Sequence, residues 1–366
     1  MITIQKYIVP PFEAVERKGI GHPDTLADGV SESISVALCR FYLEEFGQIM
    51  HYNVDKVLII AGKSRPEFGG GSILVPPSVI VGGRATTPSA KAISGIIDDA
   101  VTSFFNSTLK SLKEFRIEPR IEEGAPELRS LIGRGANDTS IGVGFAPLDS
   151  VEKLVLDLDD VVRGIHGVGE DTKIMAVRIG DALQIVVAAA MLSKYILSRD
   201  DYDGIKDRVR EAVLKRAPNA NVSVNAADTE NNIYLTVAGT SIEMGDDGAT
   251  GRGNRGNGLI TPMRPMTMEA IAGKNPVSHV GKIYNVLAGR AALDIAELDG
   301  VKEAYVTLVS KIGSPIDQPL LKGVRIAGDL QLTDALKSKI ESIIDYQLES
   351  TDELVDEFAK GKLRIY

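Results

Sequence analysis

The segment Glu16-Arg17-Lys18-Gly19-Ile20-Gly21-His22-Pro23-Asp24-Thr25-Leu26-Ala27-Asp28 lies near the start of the chain. Proline in a first helical turn, with an acidic residue beside it, is typical of a helix N-terminus, and Pro23 and Asp24 stand in that order. Apolar residues then recur at near-helical spacing, at Leu26, Val30, Ile34, Leu38 and Phe41. The pattern predicts a helix over Pro23–Phe46 that ends at Gly47.

Further segments on the C-terminal and N-terminal sides of this helix have regular apolar patterns. Predicted strands cover residues 2–9, 54–61, 73–81, 141–145, 174–179, 183–189, 233–238 and 304–309. Predicted helices cover residues 90–112, 202–216, 280–298 and 332–344. Gly180-Asp181 is expected to join two of the strands in a hairpin. Because several strands follow one another without an intervening helix, we expect a mixed α+β fold rather than a repeated βαβ unit.

Length, charge and composition exclude several classes of protein. A chain of 366 residues exceeds the size at which one hydrophobic core usually stops growing, so two or three domains are expected. The net charge of −9 argues against a broad nucleic-acid surface, although a local cluster of Lys and Arg can still bind a small polyanion. The single cysteine, Cys39, excludes an internal disulfide and a Cys-based zinc cluster. Neither a secretory leader nor an apolar membrane span is recognisable, so we expect a cytoplasmic protein.

The start of the first helix is a candidate anion site. Free N–H groups and the positive end of the helix dipole attract phosphate there. His22 can donate a hydrogen bond to a phosphate or to a leaving oxygen, and Asp24 offers a hard oxygen ligand suited to Mg²⁺. The alternative is that Asp24 and Asp28 only complement the helix dipole.

A glycine-rich segment, Met244-Gly245-Asp246-Asp247-Gly248-Ala249-Thr250-Gly251-Arg252-Gly253-Asn254-Arg255-Gly256-Asn257-Gly258, is the second candidate. So many glycines leave little side chain to pack, which indicates unusual dihedral angles or close contact with a ligand. Its two acidic residues suit a metal or a cation, and its two arginines suit phosphate. The alternative is a disordered surface loop. The apolar pair Leu259-Ile260, which follows the segment directly, makes that alternative less favourable.

A third candidate is the turn Gly273-Lys274-Asn275-Pro276, which precedes a predicted helix. A basic turn at a helix start is an anion site, although a solvated lysine would have the same sequence. Acidic turns at 136–139 and 169–173 precede strands, and each taken alone is more typical of a structural turn.

Two segments resemble known phosphate-binding motifs but do not meet their requirements. Gly62-Lys63-Ser64 lacks the first glycine of a P-loop, and Arg65-Pro66 breaks the helix that should follow. Residues 251–256 match G-x-G-x-x-G, but the preceding strand is too distant and prolines 262 and 265 interrupt the following helix. We therefore reject a P-loop and a dinucleotide-binding fold.

In their order along the chain, these segments resemble the S-adenosylmethionine synthetases, and specifically the archaeal-type branch. The segments that carry the resemblance are Gly21-His22-Pro23-Asp24, Ala136-Asn137-Asp138, Asp171-Thr172-Lys173, Gly245-Asp246-Asp247-Gly248-Ala249-Thr250-Gly251-Arg252 and Gly273-Lys274-Asn275-Pro276. Five such segments in family order, spread over the whole chain, are highly specific.

The resemblance implies a fold of three similar α+β domains assembled from non-contiguous segments. The expected domains are 1–20 with 149–240, 21–100 with 241–281, and 101–148 with 282–366. It also implies a homodimer or a tetramer of dimers with sites at the subunit interface. We expect Asp138 to come from the partner of the chain that supplies His22 and Lys274.

The resemblance further implies methionine adenosyltransferase activity, in which the methionine sulfur attacks C5′ of ATP and the triphosphate leaves and is hydrolysed to pyrophosphate and phosphate. Such a displacement needs alignment of the reacting atoms and stabilisation of the charge on the triphosphate. On the ATP side, His22 is expected to assist departure of the triphosphate and Asp171 to contact the ribose. Cationic residues are expected to contact the phosphates: Lys173, Arg252, Arg255, Lys274 and Lys282.

The remaining roles implied by the resemblance concern methionine and metals. Asp138 and Asp246 are expected to bind methionine or compensate its positive charge. Asp24 is expected to hold Mg²⁺, and Asp55 to lie beside a monovalent cation, K⁺. The chain departs from the bacterial pattern at Thr25, where that pattern has a lysine, and at Gly253, where it has a second basic residue that Arg255 could replace.

Two other functions would fit part of this pattern. Another ATP-consuming transferase would share the phosphate-binding groups without the acidic residues around methionine, and a kinase would release ADP. A catalytically silent nucleotide-binding regulator would keep the glycine-rich loop but could lose His22 or Lys274, and both are present.

Overall fold

The computed structural model describes residues 1–86, 90–129 and 135–366. Its strands are β1 Ile2–Gln5, β2 Phe12–Lys18, β3 Tyr52–Ile60, β4 Lys63–Glu67, β5 Gly70–Val75, β6 Ser78–Ala85, β7 Arg116–Glu122, β8 Ile141–Ala146, β9 Val168–Ile179, β10 Ala182–Leu192, β11 Asn221–Val224, β12 Leu235–Thr236, β13 Gly248–Ala249, β14 Val301–Val309 and β15 Leu321–Gly328. Its α-helices are α1 Pro23–Phe46, α2 Ala90–Thr108, α3 Pro126–Arg129, α4 Ser150–Arg163, α5 Arg199–Arg216, α6 Val280–Ala296, α7 Asp334–Glu349 and α8 Thr351–Ala359.

Helix α1 has the bounds that its sequence predicts. His22 is its N-cap, Pro23 lies in the first turn, and Gly47 ends it in the left-handed region with a φ of 67°. Glycine adopts that conformation without the steric penalty of a Cβ atom. The first ten residues of α1 are all buried, so polar residues of this helix lie inside the protein.

Three mixed sheets form the framework. Sheet A has the strand order β1-β15-β14-β8, sheet B has β11-β10-β9-β2 with β12 also paired to β10, and sheet C has β13-β3-β6-β7. Strands β4 and β5 form a separate two-stranded ribbon. Each of the three sheets contains both parallel and antiparallel pairs. The fold is therefore α+β, as the sequence predicts.

A separate hydrophobic core lies against each sheet. Helices α1 and α2 cover sheet C, α4 and α5 cover sheet B, and α6 with α7 covers sheet A. Segments distant in sequence share a sheet: β1 pairs in parallel with β15, and β7 pairs in parallel with β6. The described residues include no helix long and apolar enough to cross a membrane.

Several predicted elements differ from the observed ones. Residues 73–81 were expected to be one interrupted strand, but β5 ends at Val75 and β6 begins at Ser78, and the two strands belong to different sheets. Pro76 and Pro77 explain this, because neither can donate a ladder hydrogen bond. The predicted strand 2–9 ends at Gln5, and 233–238 contributes only β12.

Other elements were not expected from the sequence, notably β2, β7, α4, β15 and α8. Helix α4 begins with a capping box, a local sequence pattern from which the start of this helix could have been predicted. Asp149 accepts hydrogen bonds from the backbone of Val151 and Glu152, and the Glu152 side chain accepts one from the Asp149 N–H.

Candidate active site

His22 is held as a neutral imidazole at the start of α1. Its Nδ1 accepts a hydrogen bond of 3.2 Å from the Asp24 N–H. Burial, together with the positive charges of Lys18 and Lys173, lowers the pKa of His22 to about 3. Because Nδ1 is an acceptor in a neutral ring, the ring proton resides on Nε2. His22 therefore has an N–H donor for an anion at the helix N-terminus.

Asp24 is held as a carboxylate by two donors. Lys18 Nζ lies 2.8 Å from its Oδ2, and the Ala249 N–H donates to its Oδ1 at 3.0 Å. Burial raises the pKa of Asp24, but these donors outweigh burial and the pKa lies below the usual value. Lys18 also donates to the Arg252 carbonyl at 2.9 Å. One lysine thus joins strand β2, helix α1 and the glycine-rich loop.

The glycine-rich loop fits closely against the start of α1. A Cβ atom at Gly248 would lie 2.1 Å from the Pro23 carbonyl oxygen, so only glycine allows this approach. The exposed side chain of Arg252 has no hydrogen-bond or ion-pair partner within the described ranges. Arg255 instead donates to the carbonyl oxygens of Gly251, Gly253 and Thr267, which ties the loop to itself and to the segment that follows it.

Strand β9 brings two further predicted residues to the same region. Lys173 is the cross-strand partner of Lys18, and its ammonium lies 3.6 Å from Glu16. Asp171 is buried, and its Oδ2 accepts hydrogen bonds from the Tyr234 hydroxyl and from the N–H and hydroxyl of Ser241. Burial raises the pKa of Asp171 to about 6.

Asp246 is exposed on the glycine-rich loop, and nearby charges, including those of Lys18 and Lys173, affect its pKa. Burial of part of its carboxyl group and repulsion from Asp24 and Asp247 raise its pKa, while Lys173 and Lys18 oppose the rise. An incoming positive charge would be stabilised beside this carboxyl group. His22, Asp24, Asp171, Lys173, Asp246 and Arg252 thus belong to one region, which we call the helix-start cluster.

Lys274 and Asp55 form a second group, which we call the lysine-turn cluster. Lys274 Nζ lies 2.7 Å from Asp55 Oδ2, 3.2 Å from Glu269 Oε2 and 3.4 Å from His279 Nε2. Burial raises the pKa of Asp55, but Lys274 and Lys56 outweigh burial and lower it overall. Burial and the charge of Lys274 lower the pKa of His279 to about 3.

The two clusters contact α1 at different positions along the helix axis. The Gly273 N–H donates to Glu32 at 3.0 Å, and the Ser35 hydroxyl donates to the Lys274 carbonyl at 3.2 Å. Eight residues separate Asp24 from Glu32, which corresponds to about 12 Å along the helix axis. The two clusters are therefore separated along the length of helix α1.

Lys282 does not present its ammonium to solvent. The residue is fully buried, with Nζ 2.8 Å and 2.7 Å from the two carboxylate oxygens of Glu32 and 4.5 Å from the centre of the Phe358 ring. A contact with ATP requires an accessible cation, and the Lys282 side chain has no exposed surface, so this position does not match the phosphate contact expected for Lys282. Lys274 is also buried, but 7% of its side chain is exposed.

Asp138 is exposed and lies outside the helix-start cluster. Its backbone carbonyl accepts a hydrogen bond of 2.8 Å from Ser310, and the neighbouring Asn137 N–H donates to the Ser278 carbonyl at 3.0 Å. Because Ser278 follows the Lys274 turn closely in sequence, Asp138 lies on the side of the lysine-turn cluster.

Three charged residues of these clusters were not expected from the sequence: Lys18, Glu32 and Glu269. Lys18 lies next to Gly19, four residues before His22. Glu269 supplies an acidic group beside Lys274. Glu32 lies inside the helical pattern of α1, where a buried acidic residue could have indicated a buried cationic partner.

The fold and these clusters define an α+β protein with a cationic and acidic site at a helix N-terminus. Comparison with known proteins identifies the family to which the chain belongs. The family description S-adenosylmethionine synthetase (AdoMet synthetase) matches residues 2–362. The S-adenosylmethionine synthase of Hyperthermus butylicus is 42% identical over 401 residues, which cover 100% of this chain and 98% of that protein. The S-adenosylmethionine synthase of Caldivirga maquilingensis is 43% identical over 388 residues, which cover 96% of this chain and 95% of that protein.

A solved structure is similar in fold. It is described as an unusual S-adenosylmethionine synthetase from Campylobacter jejuni, and it matches with a TM-score of 0.67 at 16% identity, covering 94% of this chain and 90% of that one. The chain belongs to the S-adenosylmethionine synthetase family, in its archaeal-type branch. The activity predicted from the sequence, S-adenosylmethionine synthesis, is thereby confirmed.

Proposed function

We propose that the chain joins the methionine sulfur to C5′ of ATP and that the triphosphate, once displaced, is hydrolysed to pyrophosphate and phosphate. One observation carries this proposal: a neutral His22 and the cations Lys18 and Lys173 lie together at the N-terminal end of α1, beside the backbone of Arg252. The arrangement supplies donors for growing negative charge and no conventional nucleophile, as a direct displacement requires.

On the ATP side, His22 donates its Nε2–H to the departing triphosphate, and Lys173 and Arg252 neutralise its phosphates. Asp171, with Oδ2 fixed by Tyr234 and Ser241, directs its other oxygen to the ribose. Arg255 acts by holding the loop that carries Arg252. Lys282 acts through Glu32, which fixes the Gly273–Lys274 turn, and Lys274 contacts the phosphates from that turn.

On the methionine side, Asp246 compensates the positive charge of the substrate and of the sulfonium product. Support comes from the raised pKa of its carboxyl group, which a neighbouring cation would relieve. Asp138 would add a second carboxylate from another subunit.

Asp24 fits a Mg²⁺ ligand. Mg²⁺ typically takes one or two carboxylates, substrate phosphates and several waters, and Asp24 is an ionised carboxylate beside the proposed phosphate site. When bound, the ion would neutralise phosphate charge. Both carboxylate oxygens of Asp55 are ion-paired with lysines, Lys56 and Lys274, so a K⁺ beside Asp55 would face two ammonium groups, which argues against the expected K⁺ there. Asp24 differs because only its Oδ2 is ion-paired, with Lys18, while its Oδ1 accepts a backbone N–H.

Three similar α+β domains account for the three sheets and their three cores. The division 1–20 with 149–240, 21–100 with 241–281 and 101–148 with 282–366 is supported for most strands. The pairing of β1 with β15 and of β7 with β6 argues for moving residues 2–5 to the third domain and 116–122 to the second.

The active unit is a homodimer. Apolar side chains on the outer faces of sheets C and B remain exposed, including Leu58 (40%), Ile60 (39%) and Val186 (42%). Neighbouring exposed apolar residues on one sheet face, such as Leu58 and Ile60 at alternate positions of β3, are typical of an interface. The Lys274 turn contacts α1 about 12 Å along the helix from Asp24, and Asp138 lies on the side of that turn. From the sequence, Lys274 is expected to come from the chain that supplies His22; we instead propose that Lys274 and Asp138 both reach the site of the partner.

Complementation tests this arrangement. Inactive His22→Asn chains and inactive Asp138→Asn chains are mixed, unfolded and refolded together, and part of the activity should return because some mixed dimers contain one intact site. A Lys274→Met chain should complement His22→Asn but not Asp138→Asn. The reverse pattern would assign Lys274 to the chain that supplies His22, and no recovery in any mixture would place the whole site in one chain.

The reaction itself is tested by its products. With ATP, methionine and Mg²⁺, we expect methionine-dependent formation of the sulfonium product with pyrophosphate and phosphate. Stoichiometric ADP would overturn the proposal.

A further inference from the structure

The glycine-rich loop and the segment after it lie along the outer edge of strand β2. In sheet B, β2 is the last strand and pairs with β9, so alternate residues of β2 direct their backbone groups away from the sheet. Glu16 exchanges two hydrogen bonds with the backbone of Ile260, of 2.9 Å and 2.8 Å. Two residues further along the same edge, the backbone of Lys18 is bonded instead by a side chain, that of Asn254.

Asn254 takes the place of a neighbouring strand at this point. Its Oδ1 accepts the Lys18 N–H at 3.0 Å, and its Nδ2 donates to the Lys18 carbonyl oxygen at 2.8 Å. A side-chain amide can make both bonds because it carries a donor and an acceptor side by side, as a peptide group does. Asn254 is only 4% exposed, so its removal would leave buried backbone groups without an equivalent partner.

These contacts close a ring between Lys18 and the loop. The Lys18 ammonium donates to the Arg252 carbonyl oxygen at 2.9 Å and lies 2.8 Å from Asp24 Oδ2. Arg252 and Asn254 are two residues apart, so one short stretch of the loop holds both the backbone and the ammonium of Lys18. The position of Lys18 therefore depends on Asn254.

We propose that Asn254 is a positioning residue for S-adenosylmethionine synthesis, which holds the backbone of Lys18 so that its ammonium reaches Asp24 and the Arg252 carbonyl oxygen together. Lys18 opposes the effect of burial on the pKa of Asp24, so loss of this contact should make Asp24 easier to protonate. The kinetic consequence rests on the proposed role of Asp24. The position of the Lys18 ammonium can be measured without any substrate.

The reactivity of the Lys18 ammonium tests the contact directly. The protein is treated with an amine-acetylating reagent in the absence of substrates, and the labelling rate at each lysine is measured by mass spectrometry. In Asn254→Ala, the rate at Lys18 should rise at least ~5-fold, because two hydrogen bonds that fix its backbone are lost. Lys282 is fully buried and should stay protected, and Lys56, at 69% exposure, should be labelled as in wild type. An unchanged rate at Lys18 would overturn the proposal.

Asn257→Ala is the matched control. Asn257 is exposed on the same loop, and its Oδ1 accepts the Leu259 N–H at 3.1 Å, so the Lys18 rate should stay at the wild-type value. An equal rise at Lys18 in this control would show that any change in the loop has the same effect, against a specific role of Asn254.

A second variant covers the case in which Asn254→Ala unfolds, which labelling of Lys282 would reveal. Asn254→Asp keeps the shape of the side chain and its acceptor, and replaces only the donor with an oxygen that faces the Lys18 carbonyl oxygen. The Lys18 rate should then rise roughly 2- to 10-fold, as expected for the loss of one hydrogen bond. A wild-type rate at Lys18 in Asn254→Asp would also overturn the proposal.

A double-variant cycle tests the connection with the reaction. Asn254→Ala and Lys18→Met should each move the acidic limb of the pH–rate profile to higher pH. The double variant Lys18→Met/Asn254→Ala should move it no further than Lys18→Met, because Asn254 acts on Asp24 through Lys18. Additive shifts would overturn that route. A limb that stays in place in all three variants would contradict the proposed role of Asp24, whereas the labelling rates would still decide the role of Asn254.

Discussion

The ammonium of Lys18 lies 2.8 Å from the carboxylate of Asp24, at the point where strand β2 leads into helix α1. Both side chains are largely buried, at 13% and 9% exposure, so solvent screens this pair only weakly. The same ammonium donates to the carbonyl of Arg252. One lysine therefore fixes the ionisation of Asp24 and the position of the glycine-rich loop.

Replacing Lys18 with methionine should lower turnover by about 10- to 100-fold, since hydrogen bonds to charged groups contribute roughly 1.5–3 kcal/mol. The pKa of Asp24 should rise, because burial raises it and Lys18 is the main opposing group. The acidic limb of the pH–rate profile should therefore move to higher pH. Lys56→Met is a matched control, since Lys56 also pairs with an aspartate but is 69% exposed. An acidic limb that stays in place would contradict this role of Lys18.

Replacing Lys274 with methionine should lower the turnover number at least ~100-fold, with a smaller effect on ATP binding, because its charge matters most as the C5′–O bond breaks. The variant also leaves Asp55 without its closest buried cation. The double variant Asp55→Asn/Lys274→Met removes that imbalance and should recover stability but not turnover. Recovery of turnover in the double variant would reduce Lys274 to a structural partner of Asp55.

The Glu32–Lys282 pair should behave as a buried structural unit. Lys282→Met leaves an unpaired carboxylate in the core and should lower the free energy of unfolding by about 3–5 kcal/mol, measured by urea denaturation. Glu32→Gln/Lys282→Met keeps an acceptor for the Gly273 N–H and should recover most of that loss. The KM for ATP should then be close to the wild-type value. A KM that stays tenfold higher in the stable double variant would restore Lys282 as an ATP contact.

Acid should destabilise the protein partly through His279. Its pKa is about 3 in the folded chain against a usual value of 6.5, so the unfolded chain takes up the proton first as pH falls. The stability contribution is thus complete above pH 6.5 and is lost progressively towards pH 3. Compared with wild type, His279→Gln should lose about 4 kcal/mol less over this range. Chemical denaturation at several pH values measures the difference.

Asp28 and Asp171 titrate in the opposite direction, because burial raises their pKa values to about 7 and about 6. Both are unchanged in the His279→Gln variant, so the difference between the two proteins isolates His279. Parallel stability curves for the two proteins would show that His279 takes up its proton equally in the folded and unfolded states.

The sequence by itself determined the features that depend on neighbouring residues. Pro23, Asp24 and Gly47 set the bounds of α1, and Gly180-Asp181 set the hairpin of β9 and β10, because caps and turns are built from residues close in the chain. Ordered motifs also identified the family, since glycines and charged residues at a ligand site keep a fixed spacing within each loop.

Only the tertiary structure decided which charges meet. Lys18 and Arg252 are 234 residues apart, and Glu32 and Lys282 are 250 apart, yet each pair is in direct contact. Local patterns carry no information about such partners, because an exposed lysine and a buried, paired lysine have the same neighbours in sequence. Lys282 shows the consequence. The family resemblance implied a phosphate contact, whereas in the structure its buried ammonium is paired with Glu32 and lies over the Phe358 ring, because a buried charge must be paired.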